Sequence, residues 1–278
     1  MPTQQEKAQL FAKMHEQGCF VLANAWDLPS AALIVEAGYP CLATTSAGVA
    51  FVQGVPDGEK MGRQGMLRVV YEIARRMPVP VSADLEAGYG PSPEAVAATV
   101  RGAIAAGAVG CNIEDRDPST GKLYDFDLAV ARIKVGQAAA DASGLKFVLN
   151  ARTDPYLARI GTPQQCFDES VKRANAYAAA GARSVFVPGV GDAETIGKLV
   201  GALKAPLNVL GGFRGKAGMP LEDLRKLGVR RVSLGGSLML AAYAAGRRAL
   251  VDIAATGKFT YADGAVANED MNKLMDKY

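Results

Sequence analysis

Short apolar runs alternate along this chain with longer segments in which alanine, leucine and valine recur at helical spacing. Eight of the runs read as strands: Phe20 to Asn24, Cys41 to Thr44, Val79 to Ala83, Gly110 to Ile113, Lys146 to Asn150, Ser184 to Val187, Leu207 to Leu210 and Arg231 to Ser233. Several follow a helical segment that ends near a glycine, in EAGYP, AAGAVG, AAGARS and KLGVRR. A glycine there takes the left-handed backbone that closes a helix. Helix starts are marked by Ser92-Pro93-Glu94 and Thr162-Pro163, each a capping hydroxyl followed by a first-turn proline. Buried parallel strands alternating with helices build either an open sheet or a closed barrel. Eight units in one domain-sized chain predict an α/β fold of the (β/α)₈ TIM-barrel type. A dinucleotide-binding sheet does not fit, because no G-x-G-x-x-G follows the first strand, which leads into NAWD.

After the eighth run, SLMLAAYAAGRRALVDIAATG (237–257) is very apolar for a surface helix. Such a helix needs more to pack against than its own barrel, which predicts subunit contact. The domain reading is one barrel over residues 1–278, with 237–278 as a C-terminal helical extension. At 278 residues and 49% apolar composition the chain can bury one large core. A net charge of +3 supplies no basic tail, so no nucleic-acid or membrane partner is expected. The polar N-terminal segment lacks a signal-peptide core and the run 234–246 is too short to span a bilayer, so the expected location is cytoplasmic. Cys19, Cys41, Cys111 and Cys166 have no C-x-x-C spacing and read as reduced, buried thiols. The single histidine, His15, reads as a surface residue and leaves no basis for a histidine-rich zinc or iron site.

Chemistry gathers where the runs end. In a barrel the active site forms at the C-terminal ends of the strands. The first run ends at Asn24, Trp26 and Asp27, and the second at Thr45, Ser46, Ala47 and Gly48, with Asp57 further along. The third ends at Asp84 and Glu86 in VPVSADLEAGYG, the fourth at Glu114 and Asp115, the fifth at Arg152 and Asp154. Later ends carry mainly glycine and proline. Asp84, Glu86, Glu114 and Asp57 are expected to converge, and acids so placed would repel one another and shift upward in pKa. A hard divalent cation relieves that cost, and magnesium matches all-oxygen ligands. Each acid has a plainer reading as a helix cap or loop brace. Arg152 suits a substrate carboxylate, or else an ion pair with Glu114 or Asp154; the two roles can coexist. The turn at 45–48 offers backbone amides to a carboxylate or oxyanion. Tyr89, Tyr124 or a metal-bound water are the candidate proton donors.

Together, LANAWDLPSAALIVEAGYPCLATTSAGVA, SADLEAGYG, GCNIEDR and LNARTD resemble the isocitrate lyase and phosphoenolpyruvate mutase family through nearly the whole chain. The resemblance implies a barrel with its eighth helix exchanged between paired subunits of a homo-oligomer, a dimer or dimer of dimers, a magnesium or manganese cofactor, and a small 2-oxo or related carboxylic acid as substrate. It implies that Asp84 is the principal metal contact, with Glu86, Asp57 and Glu114 acting around the ion. It also implies that Arg152 lies at the reacting substrate and that Thr45, Ser46 and Ala47 hold the substrate's oxyanion or carboxylate end. The lyase branch carries a lysine-cysteine-glycine-histidine loop after the fourth strand. Here that connection reads EDRDPSTGKLYDFD, without cysteine or histidine, which argues against an isocitrate or methylisocitrate lyase. The expected activity is a magnesium-dependent C–C lyase acting through a metal-stabilised enolate, as in an oxaloacetate decarboxylase. The alternative is P–C chemistry of the phosphonopyruvate hydrolase or phosphoenolpyruvate mutase type, which would give Lys122, in a closing loop at 115–126, a part in substrate contact.

Overall fold

The computed structural model describes residues 1–213 and 215–278. Eight parallel strands close into a barrel: β1 (Phe20–Ala25), β2 (Leu42–Thr44), β3 (Val81–Asp84), β4 (Gly110–Glu114), β5 (Val148–Arg152), β6 (Ser184–Phe186), β7 (Leu207–Leu210) and β8 (Arg231–Ser233). Neighbours in space are neighbours in sequence, and β8 pairs with β1 to complete the ring. The eight expected runs are the eight barrel strands, with ends shifted by up to two residues. A pair of two-residue strands, Gly212–Phe213 with Lys216–Ala217, follows β7 and was not expected.

The helices are α1 (Gln4–Met14), α2 (Leu28–Glu36), α3 (Ser46–Val52), α4 (Gly62–Ala74), α5 (Pro93–Ala105), α6 (Phe126–Asp141), α7 (Pro155–Ala158), α8 (Pro163–Ala179), α9 (Ala193–Ala202), α10 (Leu221–Lys226), α11 (Ser237–Thr256) and α12 (Asn268–Lys277). Ser92 and Thr162 cap α5 and α8 as their sequences predict, accepting from Ala95 and Gln165. Gly38, Gly107, Gly181 and Gly228, from the four glycine signals, all have positive φ.

Helix α1 lies under the N-terminal end of the barrel, and Phe11 is its plug, packed with Leu22, Cys41, Ala43, Val109 and Val148. Gly110 makes room for it: a Cβ there would meet the Phe11 ring at 2.7 Å and the Val148 carbonyl at 2.8 Å. Burial of one such phenyl ring is worth about 1.5–3 kcal/mol. His15 lies one turn beyond Phe11 on the same helix face, edge-on to Phe11 and Phe20 and with Nδ1 2.8 Å from the Phe11 carbonyl. The surface placement expected for it is therefore incorrect. Among the cysteines, Cys41, Cys111 and Cys166 are buried and Cys19 is half-buried, all as free thiols.

Above the plug the barrel interior is polar. Arg231 is fully buried there, donating to Asn112 at 3.1 Å and to Ser233 at 3.3 Å, while Asn150 donates to Asn112 at 2.7 Å. Burial lowers the Arg231 pKa to about 10. Helix α11 runs on with only Met239 buried, and it exposes Leu238, Leu240, Tyr243, Leu250 and Val251. Helix α12 returns to the barrel and seats Leu274, Met271 and Met275 among residues of β1, α2 and α4. No helix among the described residues is long and apolar enough to cross a membrane.

Candidate active site

Strand β3 delivers Asp84 to the barrel mouth. One of its oxygens, Oδ2, accepts both the amide and the hydroxyl of Ser46, at 3.0 and 2.9 Å. Its own amide donates to the Thr44 hydroxyl at 2.9 Å. The other carboxylate oxygen, Oδ1, is buried and has no partner. The turn at 45–48 is thus not a row of free amides. Thr45 caps α3, which starts immediately, and Ser46 is spent on Asp84.

Strands β4 and β5 deliver the next pair. Glu114 and Arg152 occupy the same register position on adjacent strands, so their side chains leave the same face and meet at 2.6 Å. Asp154 takes the other side of the guanidinium with both oxygens, each at 2.7 Å. Burial opposes charge on Arg152, but the Asp154 and Glu114 carboxylates outweigh it and hold the guanidinium charged. Burial pushes the Glu114 carboxyl well above its ordinary range, against the pull of Arg152. Asp115 points the other way, into the protein. It accepts from Thr153 and Tyr177 at 2.7 Å each, from the Asp154 amide at 3.0 Å and from Arg173 at 3.3 Å. It braces the loop that carries Asp154.

Glu86 and Tyr89 sit in the turn after β3. The Tyr89 hydroxyl donates to one Glu86 oxygen at 3.2 Å, and the amide of Glu59 donates to the other. Burial, followed by the Asp57 and Asp84 charges, pushes the Glu86 carboxyl up to about 7. Asp57 is exposed on the rim, yet desolvation by the surrounding mouth and then the Asp84 charge raise its carboxyl as well. Asp57, Asp84, Glu86, Glu114 and Arg152 therefore share one electrostatic neighbourhood, as the positions of their strand ends predict. The acids do not close into a single cage: among the described residues, no three carboxylate, cysteine or histidine side chains form a cluster able to hold a metal ion.

That arrangement still fits a magnesium ion. Magnesium keeps several waters and needs only one or two protein carboxylates alongside substrate oxygens. The buried, unpartnered Oδ1 of Asp84 is such a donor, and Ser46 fixes its direction. Lys122 is exposed, in a turn closed by bonds from the Asp117 amide to the Lys122 carbonyl at 2.8 Å and from Gly121 to Asp117 at 2.8 Å. No ion pair involving Lys122 is found among the described residues. Asp27, at the end of β1, is a helix cap for α2.

Residues missing from the sequence reading complete the mouth. Glu59 accepts the Tyr89 amide. Arg132 donates to the carbonyls of Ala87, Gly90 and Pro91 and lies under the Tyr124 ring, 4.1 Å from its centre. Nothing in the local sequence of either residue marks it for this role. A separate cavity of about 640 Å³ opens between the loops after β5 and β6, lined by Tyr156, Arg159, Cys166, Asp192 and Lys198 among others, and it contains none of the mouth acids.

The family model for phosphoenolpyruvate phosphomutase matches residues 11–254. The crystal structure of a candidate lyase/mutase from Burkholderia cenocepacia J2315 superposes with a TM-score of 0.91 at 39% identity, covering 98% of this chain and 96% of that one. A candidate phosphonomutase from the same organism superposes with a TM-score of 0.83 at 42% identity, covering 89% and 99%. The oxaloacetate decarboxylase of Paraburkholderia xenovorans is 32% identical over 239 residues, 83% of this chain and 75% of that protein.

Proposed function

Because the chain belongs to the phosphoenolpyruvate mutase and isocitrate lyase superfamily, we propose that it breaks the bond between a leaving group and the enolpyruvate unit of a small 2-oxo acid. Superfamily membership carries lyase or mutase chemistry on C–C or P–C bonds. Within that range the comparisons favour P–C chemistry over the decarboxylase reading expected first. The matching family model is that of a phosphomutase, and a candidate phosphonomutase is 42% identical. The observation that carries the proposal is Asp84, with one oxygen fixed by Ser46 and the other buried and free.

Asp84 would hold magnesium directly, with Glu86, Asp57 and Glu114 reaching it through water. Bound there, the ion would supply Lewis-acid stabilisation of negative charge on the 2-oxo oxygen. The protein's own groups do the rest. Arg152 has five N–H donors, and Glu114 and Asp154 engage three of its nitrogens through one contact each, so donors remain for a substrate carboxylate. Thr45 and Ser46, beside Asp84, would lie at the other end of the substrate. Tyr89, hydrogen-bonded to Glu86, would give the proton to the carbon released by bond cleavage. Lys122, on the loop 115–126, would reach the leaving group when that loop closes.

C–C cleavage is kept as the second reading for a specific reason. Arg152 already faces two carboxylates, which suits a singly charged leaving carboxylate better than a phosphonyl dianion. The 32% identical oxaloacetate decarboxylase agrees with it. For the assembly, the exposed apolar face of α11 supports exchange of that helix between paired subunits. The whole chain is read as one catalytic unit, with 237–278 as its oligomerising extension.

Pyruvate release from phosphonopyruvate and from oxaloacetate, with magnesium and with chelator, tests the proposal. Phosphoenolpyruvate formation, read by phosphorus NMR, covers the mutase outcome. Chelator-sensitive conversion of the phosphonate is expected. Turnover of oxaloacetate alone would transfer the proposal to the second reading, and inactivity on both would sink the enolpyruvate assignment.

A further inference from the structure

Among the described residues, four other than glycine have left-handed backbone: Glu59 (φ 64°), Glu86 (φ 50°), Tyr89 (φ 58°) and Arg159 (φ 52°). The first three are bonded to one another. The Glu59 amide donates to the Glu86 carboxylate, the Tyr89 amide donates to the Glu59 carboxylate, and the Tyr89 hydroxyl donates back to Glu86 at 3.2 Å. Left-handed backbone is unfavourable for a residue with a Cβ, and it persists only where surrounding contacts over-determine it. Three such residues closing one ring of hydrogen bonds make a clasp between the segment after α3 and the turn after β3.

The surroundings reinforce the clasp. Arg63 donates to the Tyr89 carbonyl at 3.0 Å and to Thr99 at 2.7 Å, and Thr99 donates to the Gly88 carbonyl at 2.7 Å. From the far side, the Glu114 amide donates to the Glu86 carbonyl at 2.9 Å. The turn that aims Glu86 and Tyr89 is thus fixed on every side, and Glu59 is the one member that comes from the 53–61 segment. That segment also carries Asp57, two residues before Glu59, so the same contacts fix where Asp57 stands over the mouth.

We propose that Glu59 is a positioning residue: its carboxylate and its strained backbone aim the Tyr89 hydroxyl and the Glu86 carboxylate into the barrel mouth. This rests on the reading that Glu86 and Tyr89 work there. Both parts of Glu59 matter. Its side chain holds the Tyr89 amide, and its left-handed backbone turns its own amide toward Glu86. A glutamine keeps an acceptor oxygen at the same reach. An alanine removes the acceptor and keeps the strained backbone, whereas a glycine removes the acceptor and relieves the strain.

The test compares wild type with Glu59→Gln, Glu59→Ala and Glu59→Gly in the full-length protein by steady-state kinetics, thermal unfolding and amide hydrogen exchange at Tyr89. Glu59→Ala and Glu59→Gly are expected to lose about tenfold or more in kcat with KM changed less than about threefold, since small misplacements of reacting groups cost rate steeply. Glu59→Gln is expected to restore most of that kcat. Glu59→Gly should unfold at a higher temperature than Glu59→Ala while being just as slow, a separation that a purely structural role would not produce. Exchange at the Tyr89 amide should be slow in wild type and fast in both truncations. A wild-type kcat in Glu59→Ala with only the unfolding temperature lowered would overturn the proposal. So would equal exchange at Tyr89 in wild type and Glu59→Ala, whatever the substrate. Wild-type inactivity on every acid offered would instead sink the reading of the reaction, and exchange at Tyr89 would still decide on the clasp.

Discussion

Ser46 gives both its amide and its hydroxyl to a single oxygen of Asp84, at 3.0 and 2.9 Å, and the second oxygen of Asp84 is left buried without a partner. A buried acceptor left unpaired costs about 1–3 kcal/mol. Aimed in this way, it is the oxygen that the proposed cation would use. Ser46→Ala removes one of the two bonds that orient it. Manganese affinity, titrated in solution, is expected to fall about 10–100-fold with the fold intact, the usual cost of losing an outer-shell partner. Unchanged affinity would separate Ser46 from the metal.

The guanidinium of Arg152 is held by Asp154 on one side and Glu114 on the other. Asp154→Ala breaks the bidentate side of the guanidinium while its backbone amide can still donate to Asp115. Breaking such a buried pair costs about 3–5 kcal/mol, and urea unfolding should register it. Arg152→Lys keeps the charge and loses the fork, so kcat/KM should fall by about 100-fold or more while stability changes little by comparison. An active lysine variant would show that Arg152 serves the pair and not the substrate.

His15 makes acid stability predictable. Burial, and then the charge of Arg231, lowers its pKa to about 3. A folded-state pKa below the unfolded value means that the stabilisation is present above about pH 6.5 and is lost as pH falls, at about 1.4 kcal/mol per pH unit. His15 is the only histidine, so its ring proton resonance is a unique probe. It should stay flat from pH 8 to about 5, and an inflection near 6.5 would place the ring in solvent.

The mouth acids act in the opposite direction. The Glu86 carboxyl is pushed up to about 7 by burial and by the Asp57 and Asp84 charges. Raised above its unfolded value, it contributes stability that is present below about pH 4.5 and lost as pH rises through about 7, on the order of 3 kcal/mol in full. Magnesium would offset that loss. Unfolding temperatures from pH 4.5 to 7.5 should therefore separate with and without magnesium, most widely near neutrality. Glu86→Gln, in the absence of metal, should lose less stability over the same interval than wild type. Matching slopes in the two proteins would remove Glu86 from the account.

The barrel was legible because its signals are local. Apolar runs, capping glycines and proline-marked helix starts lie within a few residues of one another, and a closed ring of parallel strands then sets which ends share a mouth. Asp84, Glu86, Glu114 and Arg152 were legible for the same reason, since all stand at the ends of three successive runs, Asp84 and Glu86 sharing the third. Pairing across the fold was not. Asp115 and Tyr177 are 62 positions apart, and Arg231 reaches Asn112 from 119 positions away. Glu59 hides in a segment that reads as an ordinary turn. His15 was misjudged because its segment is polar overall. Yet Ala8, Phe11 and His15 recur at intervals of three and four, and that spacing was the available sign of a buried face. At Thr45–Gly48 the sequence shows the small residues but not the bonds they make. A capping threonine converts the turn at once into helix, and Ser46 is occupied by Asp84.

On the proposed function, Asp84 holds a divalent cation for chemistry on an enolpyruvate unit. Manganese titration followed by electron paramagnetic resonance, on wild type and Asp84→Ala side by side, tests it most directly. One bound manganese per chain in wild type, absent from Asp84→Ala at the same concentrations and with both proteins folded, is the predicted result. Equal binding by the two proteins, or none by wild type, would contradict it.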